Sequence, residues 1–215
     1  MTRKIFILLG FPGSGKGTQG MILSDTLKIP HISTGEIFRK MALGNSEEAK
    51  LLNDYMQQGK LIPGELVNTI VLKFISSDEC KKGCILDGYP RNIKQAEYLI
   101  KHIDSKIIVF FFNIKDDLVI KRIVGRYNCV SCRALYNRYF SNPRVEGVCD
   151  QCGSTHFVSR QDDDNETVVL RIAEYRNETL PLIEYYKDKG NFYSIDANMN
   201  KEQITEEMLS IAKKV

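Results

Sequence analysis

The chain has 215 residues, 43% of them hydrophobic and 27% charged, the balance of an ordinary soluble globular protein, which excludes wholesale disorder and collagen-like repeats. A chain of this length buries about 70% of its unfolded surface and needs no disulfide framework to hold a core. Thirty Lys and Arg against 27 Asp and Glu leave a net charge of +3, short of what a dedicated nucleic-acid binder carries, so any basic site has to be local.

In chain order, the apolar segment Lys4–Leu9 reads as a strand and runs at once into a Gly-rich loop and a helical pattern through Met21, Ile22 and Leu27. This start leaves no signal region or cleavage site, and the longest apolar run, Ile107 to Phe112, is six residues against the roughly 20 needed to span a bilayer. The expected setting is the cytoplasm, with no membrane partner. Further strands are expected at His31–Ser33, Cys84–Asp87, Ile107–Phe112 and Phe192–Ile195. Helical patterns separate them, at Glu36–Leu43, Ser46–Gln58 and from about Glu65 onward. Val168, Ile172, Tyr175, Thr179, Leu182 and Tyr186 recur at helical spacing, so one long amphipathic helix is predicted from Asn165 to Lys189, kinked at Pro181. Lys201–Val215 reads as a closing helix. Strands alternating with helices define an α/β fold, a parallel five-stranded sheet flanked by helices. Residues 1–33, 64–125 and 164–215 form its core, while 34–63, with two helical patterns, and 126–163, with none, read as insertions.

The loop after the first strand is Gly10-Phe11-Pro12-Gly13-Ser14-Gly15-Lys16-Gly17-Thr18. Glycines let successive backbone N–H groups turn toward phosphate oxygens, the helix N-terminus adds its positive end, and Lys16 adds a mobile charge. The strand–loop–helix context that a P-loop demands is present. A hydroxyl usually follows that lysine, but Gly17 stands there, so direct coordination of magnesium by a loop hydroxyl is not expected. Asp87 ends the third strand on the same carboxyl edge of the sheet, where a carboxylate can hold Mg2+ through its waters.

Four of the six cysteines form two Cys-x-x-Cys pairs, Cys129 with Cys132 and Cys149 with Cys152, separated by 16 residues. Four thiolates fill a tetrahedral shell and leave no open position, so the metal is expected to be structural Zn2+; iron suits the same sulfurs. Between Tyr127 and Ser159 three arginines face Glu146 and Asp150, a net of +1, too little for phosphate-driven nucleic-acid binding. Tyr127, Tyr136, Tyr139, Phe140 and Phe157 are expected to form a small core in this insertion. Cys80 and Cys84 read as structural thiols, and His31 and His102 stand alone.

Arginines recur in distinctive settings: Ser33-Thr34-Gly35-Glu36-Ile37-Phe38-Arg39, Asp87-Gly88-Tyr89-Pro90-Arg91 with Gln95 behind it, Arg122-Ile123-Val124-Gly125-Arg126, and Arg160-Gln161-Asp162-Asp163 with Glu166 and Thr167 following. With the Gly-rich loop and Gly59-Lys60-Leu61-Ile62, they make six ordered motifs through which the chain resembles adenylate kinases over essentially its full length. The glycine after Lys16 is that family's form.

The resemblance implies phosphoryl transfer from ATP to AMP giving two ADP, with residues 34–63 as the NMP-binding insertion and 126–163 as a zinc-bearing lid. It implies that Gly13, Ser14, Gly15, Lys16, Gly17 and Thr18 wrap the ATP phosphates, that Arg122 and Arg126 serve ATP, and that Leu135, Tyr136 and Met199 lie near its base. On the AMP side it implies Thr34, Arg39, Lys60, Leu61, Ile62, Gly88, Tyr89, Pro90, Arg91 and Gln95, with Gln95 reading the adenine edge. Arg160 and Arg171 would reach the phosphates being joined, and Asp162 and Asp163 would orient those arginines. Lys16, Asp87, Arg91, Arg126, Arg160 and Arg171 would thus carry the chemistry, in a monomer with no nucleic-acid partner. Two readings stand beside this one: a kinase of the same fold with a UMP or CMP acceptor, and a P-loop protein acting as a zinc-dependent RNA-binding switch.

Overall fold

The computed structural model describes residues 2–215, apart from the side chains of residues 116 and 117. Strand β1 (Lys4–Gly10) lies at the centre of a five-stranded sheet with β2 (His31–Ser33), β3 (Gly83–Asp87), β4 (Lys106–Asn113) and β8 (Phe192–Asp196), in the order β2-β3-β1-β4-β8. Every neighbouring pair is parallel. Strands buried on both faces read as continuous apolar runs, which is why β1 and β4 were legible.

The alternation of β1 divides the core. Ile5, Ile7 and Leu9 pack on one face against α4 (Gly64–Ile75), α5 (Ile93–His102) and α8 (Leu182–Lys187), through Val67, Val71, Leu99 and Leu182. Phe6 and Leu8 pack on the other against α1 (Lys16–Leu27), α6 (Asp116–Val124), α7 (Asn165–Glu174) and α9 (Lys201–Lys214), through Leu23, Ile123, Val168 and Met208. Helix starts follow local capping chemistry. Asn92 Oδ1 accepts from Gln95 N at 3.0 Å and Asp164 Oδ1 from Thr167 N at 2.9 Å, while Asn200 and Gln203 form a reciprocal capping box.

The structure corrects several expectations. Helix α2 (Thr34–Met41) begins two residues before the expected Glu36, because Ser33 takes the cap position and Thr34-Gly35 form the first turn. Helix α3 (Glu47–Gln57) completes the first insertion. The long helix is broken, not merely kinked: α7 opens into a π turn (Tyr175–Thr179) before Pro181 starts α8. The periodic residues still face inward, with Val168, Tyr175, Thr179, Leu182 and Tyr186 all buried. The second insertion has its own antiparallel sheet, β5 (Arg126–Cys129) between β6 (Leu135–Asn137) and β7 (Phe157–Ser159). Its core is Cys129, Ala134, Tyr136 and Cys149, with Tyr127 and Phe157 against it. Tyr139 and Phe140 do not join that core; they are 60% and 49% exposed, and the Arg122 guanidinium lies 5.7 Å from the Phe140 ring centroid. Among the described residues no helix is long and apolar enough to cross a membrane.

Candidate active site

The carboxyl ends of β1 and β3 lie side by side, with Leu8 in register with Asp87. The first delivers the Gly-rich loop and the second a partly buried carboxylate. Gly10 turns the chain with φ +149°, and a Cβ there would lie 2.8 Å from the Phe112 carbonyl oxygen. Gly13 is equally constrained, with φ +79° and room for no Cβ against Ile123 Cγ1, so the loop sits directly against the end of α6. Lys16 Nζ donates to the Gly10 and Phe11 carbonyls, each at 2.7 Å. Burial lowers the Lys16 pKa to about 8, Asp87 opposing that shift and the arginines around it adding to it. For Asp87, burial pushes the carboxyl up, but His31 and Lys16 outweigh it and hold the group below its ordinary value.

The arginines converge on this edge from separate elements. Arg126, at the start of β5, donates from Nε to Asp163 Oδ2 at 2.8 Å and from Nη2 to Oδ1 at 2.6 Å. Arg171, on α7, donates from Nη1 to the same Oδ1 at 2.9 Å and lies 3.1 Å from Asp162 Oδ2. Arg39, on α2, approaches Asp162 at 3.8 Å. Burial, with crowding by neighbouring guanidinium groups, lowers the Arg91 pKa to about 10 and the Arg160 pKa to about 9. Both remain protonated at neutral pH. Lys16, Arg39, Arg91, Arg126, Arg160 and Arg171 are thus six cations against Asp87, Asp162 and Asp163, an excess of three positive charges that small polyanions can neutralise.

A narrow cleft opens beside this cluster, between α2, α3 and the β3–α5 connection. Of the residues expected on the AMP side it is lined by Thr34, Arg39, Lys60, Leu61, Ile62, Gly88, Arg91 and Gln95, and by Arg171. Gly88, with φ +81°, lets the Thr34 hydroxyl and the Arg91 guanidinium approach the backbone, where a Cβ would stand 2.7 Å from Thr34 Oγ1. Gln95 Oε1 accepts from Arg91 N at 2.8 Å. Tyr89 is not in this lining: it is 1% exposed, and its hydroxyl donates to Asn68 Oδ1 at 2.8 Å within the core. Pro90 is buried too, and the Tyr89–Pro90 peptide bond is cis.

The structure also ties Tyr136 down. Its hydroxyl accepts from Asp150 N at 2.8 Å and lies 3.3 Å from Cys149 Sγ, so the proton is free to point at the sulfur. Leu135 beside it is half-buried in β6, and the Met199 amide donates to Asp196 O at 3.3 Å.

The sulfurs of Cys129, Cys132, Cys149 and Cys152 all lie within 4.8 Å of one another, and two of the pairs are separated by 3.6 and 3.5 Å. A tetrahedron with metal–sulfur bonds of about 2.3 Å has edges of about 3.8 Å, so the cluster fits a metal of that size. His156 is exposed and is not among the four.

Three residues that sequence reasoning passed over complete the surroundings. His31 Nε2 lies 3.5 Å from Asp87 Oδ2. Glu174 Oε1 accepts from Leu61 N at 3.2 Å, tying the first insertion to α7. The Thr179 hydroxyl donates to the Arg91 carbonyl at 2.8 Å. None has a local motif, because each acts across the fold.

A Gly-rich loop at the end of a central parallel strand, a carboxylate on the next strand and a convergent arginine cluster define a P-loop phosphotransferase. Residues 8–191 match the adenylate kinase family model. The chain is 47% identical over 207 residues to an adenylate kinase of Rickettsia conorii, covering 96% of this chain and 98% of that protein. It is 47% identical to that of Rickettsia bellii and 45% to that of Rickettsia prowazekii, with 97% of this chain and 99% of each relative covered. The chain belongs to the adenylate kinase family, and its activity is that of a nucleoside monophosphate kinase.

Proposed function

We propose that the protein transfers the γ-phosphoryl group of ATP to AMP, giving two ADP, and runs the reverse reaction at the same site. The observation that carries this reading is the cation cluster set between the Gly-rich loop and a cleft lined by Thr34, Arg91 and Gln95.

Residues Gly13 to Thr18 cradle the donor phosphates, and Lys16 follows the group in flight. Asp87 would hold Mg2+, and that ion would neutralise charge on the donor's phosphate oxygens. Arg122 and Arg126 serve the donor, with Leu135, Tyr136 and Met199 near its base. Thr34, Arg39, Lys60 to Ile62, Gly88, Arg91 and Gln95 hold AMP. In the transfer, an acceptor phosphate oxygen forms a bond to the γ-phosphorus as the bond to the ADP oxygen breaks in line, and charge spreads over the equatorial oxygens. Arg160 and Arg171 meet that charge with guanidinium forks matched to two oxygens each. No general base is needed, because the acceptor is already an anion.

The core comprises residues 1–33, 64–125 and 164–215. Residues 34–63 and 126–163 close over acceptor and donor, keeping water from replacing AMP. The four cysteines hold structural Zn2+ in the second of these flaps. The protein works as a cytoplasmic monomer.

The test offers purified protein Mg-ATP with AMP, CMP, UMP or GMP and separates the products by chromatography. ADP formed at the expense of AMP, with the other acceptors nearly inert, is the expected result. Preference for another monophosphate overturns the acceptor assignment, and inactivity with all four overturns the whole reading.

A further inference from the structure

Among the described residues Arg91 is fixed by three hydrogen bonds, and only one of them comes from outside its own neighbourhood. Its N–H donates to Gln95 Oε1 at 2.8 Å and its Nε to the Gly88 carbonyl at 3.0 Å, both within four residues of it. Its carbonyl accepts from Thr179 Oγ1 at 2.8 Å, a residue 88 positions away that is 6% exposed. The first two bonds travel with Arg91 if the connection shifts; the third ties it to the body of the protein.

Thr179 reaches that carbonyl because of the π turn. Leu180 N donates to Tyr175 O at 2.9 Å, a five-residue step where an α-helix makes a four-residue one. Thr179 is the last residue inside this widened turn, so the geometry of the turn sets the direction of its hydroxyl. The same segment packs on the phosphate loop, with the Tyr175 and Phe11 ring centroids 4.2 Å apart. One turn earlier, Arg171 grips Asp162 and Asp163. The frame that supports Arg91 is therefore the frame that supports the donor side.

We propose that Thr179 is a positioning residue for Arg91: its hydroxyl fixes the Arg91 backbone relative to the phosphate loop, so that the guanidinium meets the acceptor phosphate at a set distance from the donor. This rests on the reading of Arg91 as an acceptor ligand.

The test compares Thr179→Val, which removes the hydroxyl at nearly constant volume, with Thr179→Ser, which keeps it. Initial rates are measured against AMP and ATP separately. The partly buried Arg91 carbonyl loses the Thr179 donor, and kcat/KM for AMP is expected to fall about tenfold in Thr179→Val, with KM for ATP moving less than about twofold. Thr179→Ser should recover most of that loss. Equal losses for both substrates, or no recovery with serine, would mean that Thr179 serves only packing. If Thr179→Val does not fold, Thr179→Ala removes the same hydroxyl and makes the same comparison. Arg91→Ala separates the two readings: unchanged AMP kinetics there would overturn the acceptor assignment, whereas a crippled Arg91→Ala beside a fully active Thr179→Val overturns the positioning role alone.

Discussion

His31 and Asp87 face each other across 3.5 Å beneath two successive turns of α1, with Gly17 over the carboxylate and Gly20 over the imidazole. A Cβ at residue 17 would stand 3.4 Å from Asp87 Oδ2, and one at residue 20 would stand 2.6 Å from His31 Nε2. Among the described residues His31 Nε2 has no better partner than this carboxylate. The histidine that stands alone in sequence is the backing of the carboxylate proposed to hold magnesium.

Gly20→Ala sets two effects against each other. Alanine favours the helix by about 1 kcal/mol, but overpacking a closed site costs about 1–3 kcal/mol. Leu8 Cδ1, 3.0 Å from the new Cβ, closes the other side, so the clash should win. The expected result is a lower denaturation midpoint together with a higher Mg2+ requirement for turnover. A raised midpoint would show that His31 swings aside freely.

Lys16 should make donor binding depend on pH. With its pKa near 8 in the nucleotide-free protein, the ammonium is partly discharged at pH 8.5, and arriving phosphates restore it. Calorimetric titration of ATP in two buffers of different ionisation heat should show proton uptake at pH 8.5 and little at pH 6.5, and Lys16→Met should abolish it. For stability the sign is opposite to that of a lysine gaining a partner. Between about pH 8 and the ordinary 10.5 the unfolded chain binds a proton that the folded one has shed, so this group's contribution to unfolding free energy rises with pH there.

Removing the metal should loosen the lid before the core. Cys132→Ser is expected to lower bound zinc, measured by elemental analysis, and to create an early melting step, with activity lost only as the lid disorders. Full metal retention would contradict a four-cysteine shell. Tyr136→Phe keeps the ring in the lid core but removes the hydroxyl beside Cys149, and outer-shell changes of this kind weaken metal binding by about 10–100-fold. Competition with a chromophoric chelator reads that shift directly.

Asp163→Asn removes the charge shared by Arg126 and Arg171 while keeping the shape. Breaking one side of a buried pair costs about 3–5 kcal/mol, because the partner cations stay behind. ATP analogue and AMP bound together should return part of that loss, since their phosphates supply the missing anions. Thermal melts should show a larger nucleotide-induced rise in Tm for the variant than for wild type; equal rises would show that the arginines find other partners unaided.

Most of the cleft beside the cation cluster was legible because its residues sit in local motifs that the fold then gathers: Thr34 and Arg39 on one helix, Gly88 and Arg91 on one connection with Gln95 in the first turn of the helix after it. The sheet was legible because its strands are buried on both faces. What escaped was set by contacts distant in sequence. Nothing in Tyr175–Thr179 announces a π turn, since its periodicity fits an α-helix and only packing on Phe11 and Arg91 reveals the difference. The three-residue strands β6 and β7 carry too little alternation to read and are organised around the cysteine cluster. Tyr139 and Phe140 were misplaced because aromatic character was equated with burial.

Asp162 and Asp163 make substrate capture an exchange. On the proposed reading, Arg39, Arg126 and Arg171 each surrender a resident carboxylate on accepting a phosphate, so only the difference between the two partnerships would appear as affinity. When the phosphates leave, the carboxylates are already within reach to take the arginines back. A reaction that runs in both directions must let go of its products as readily as it seizes its substrates, and internal counterions provide that balance without weakening the charge available while the phosphoryl group is in flight.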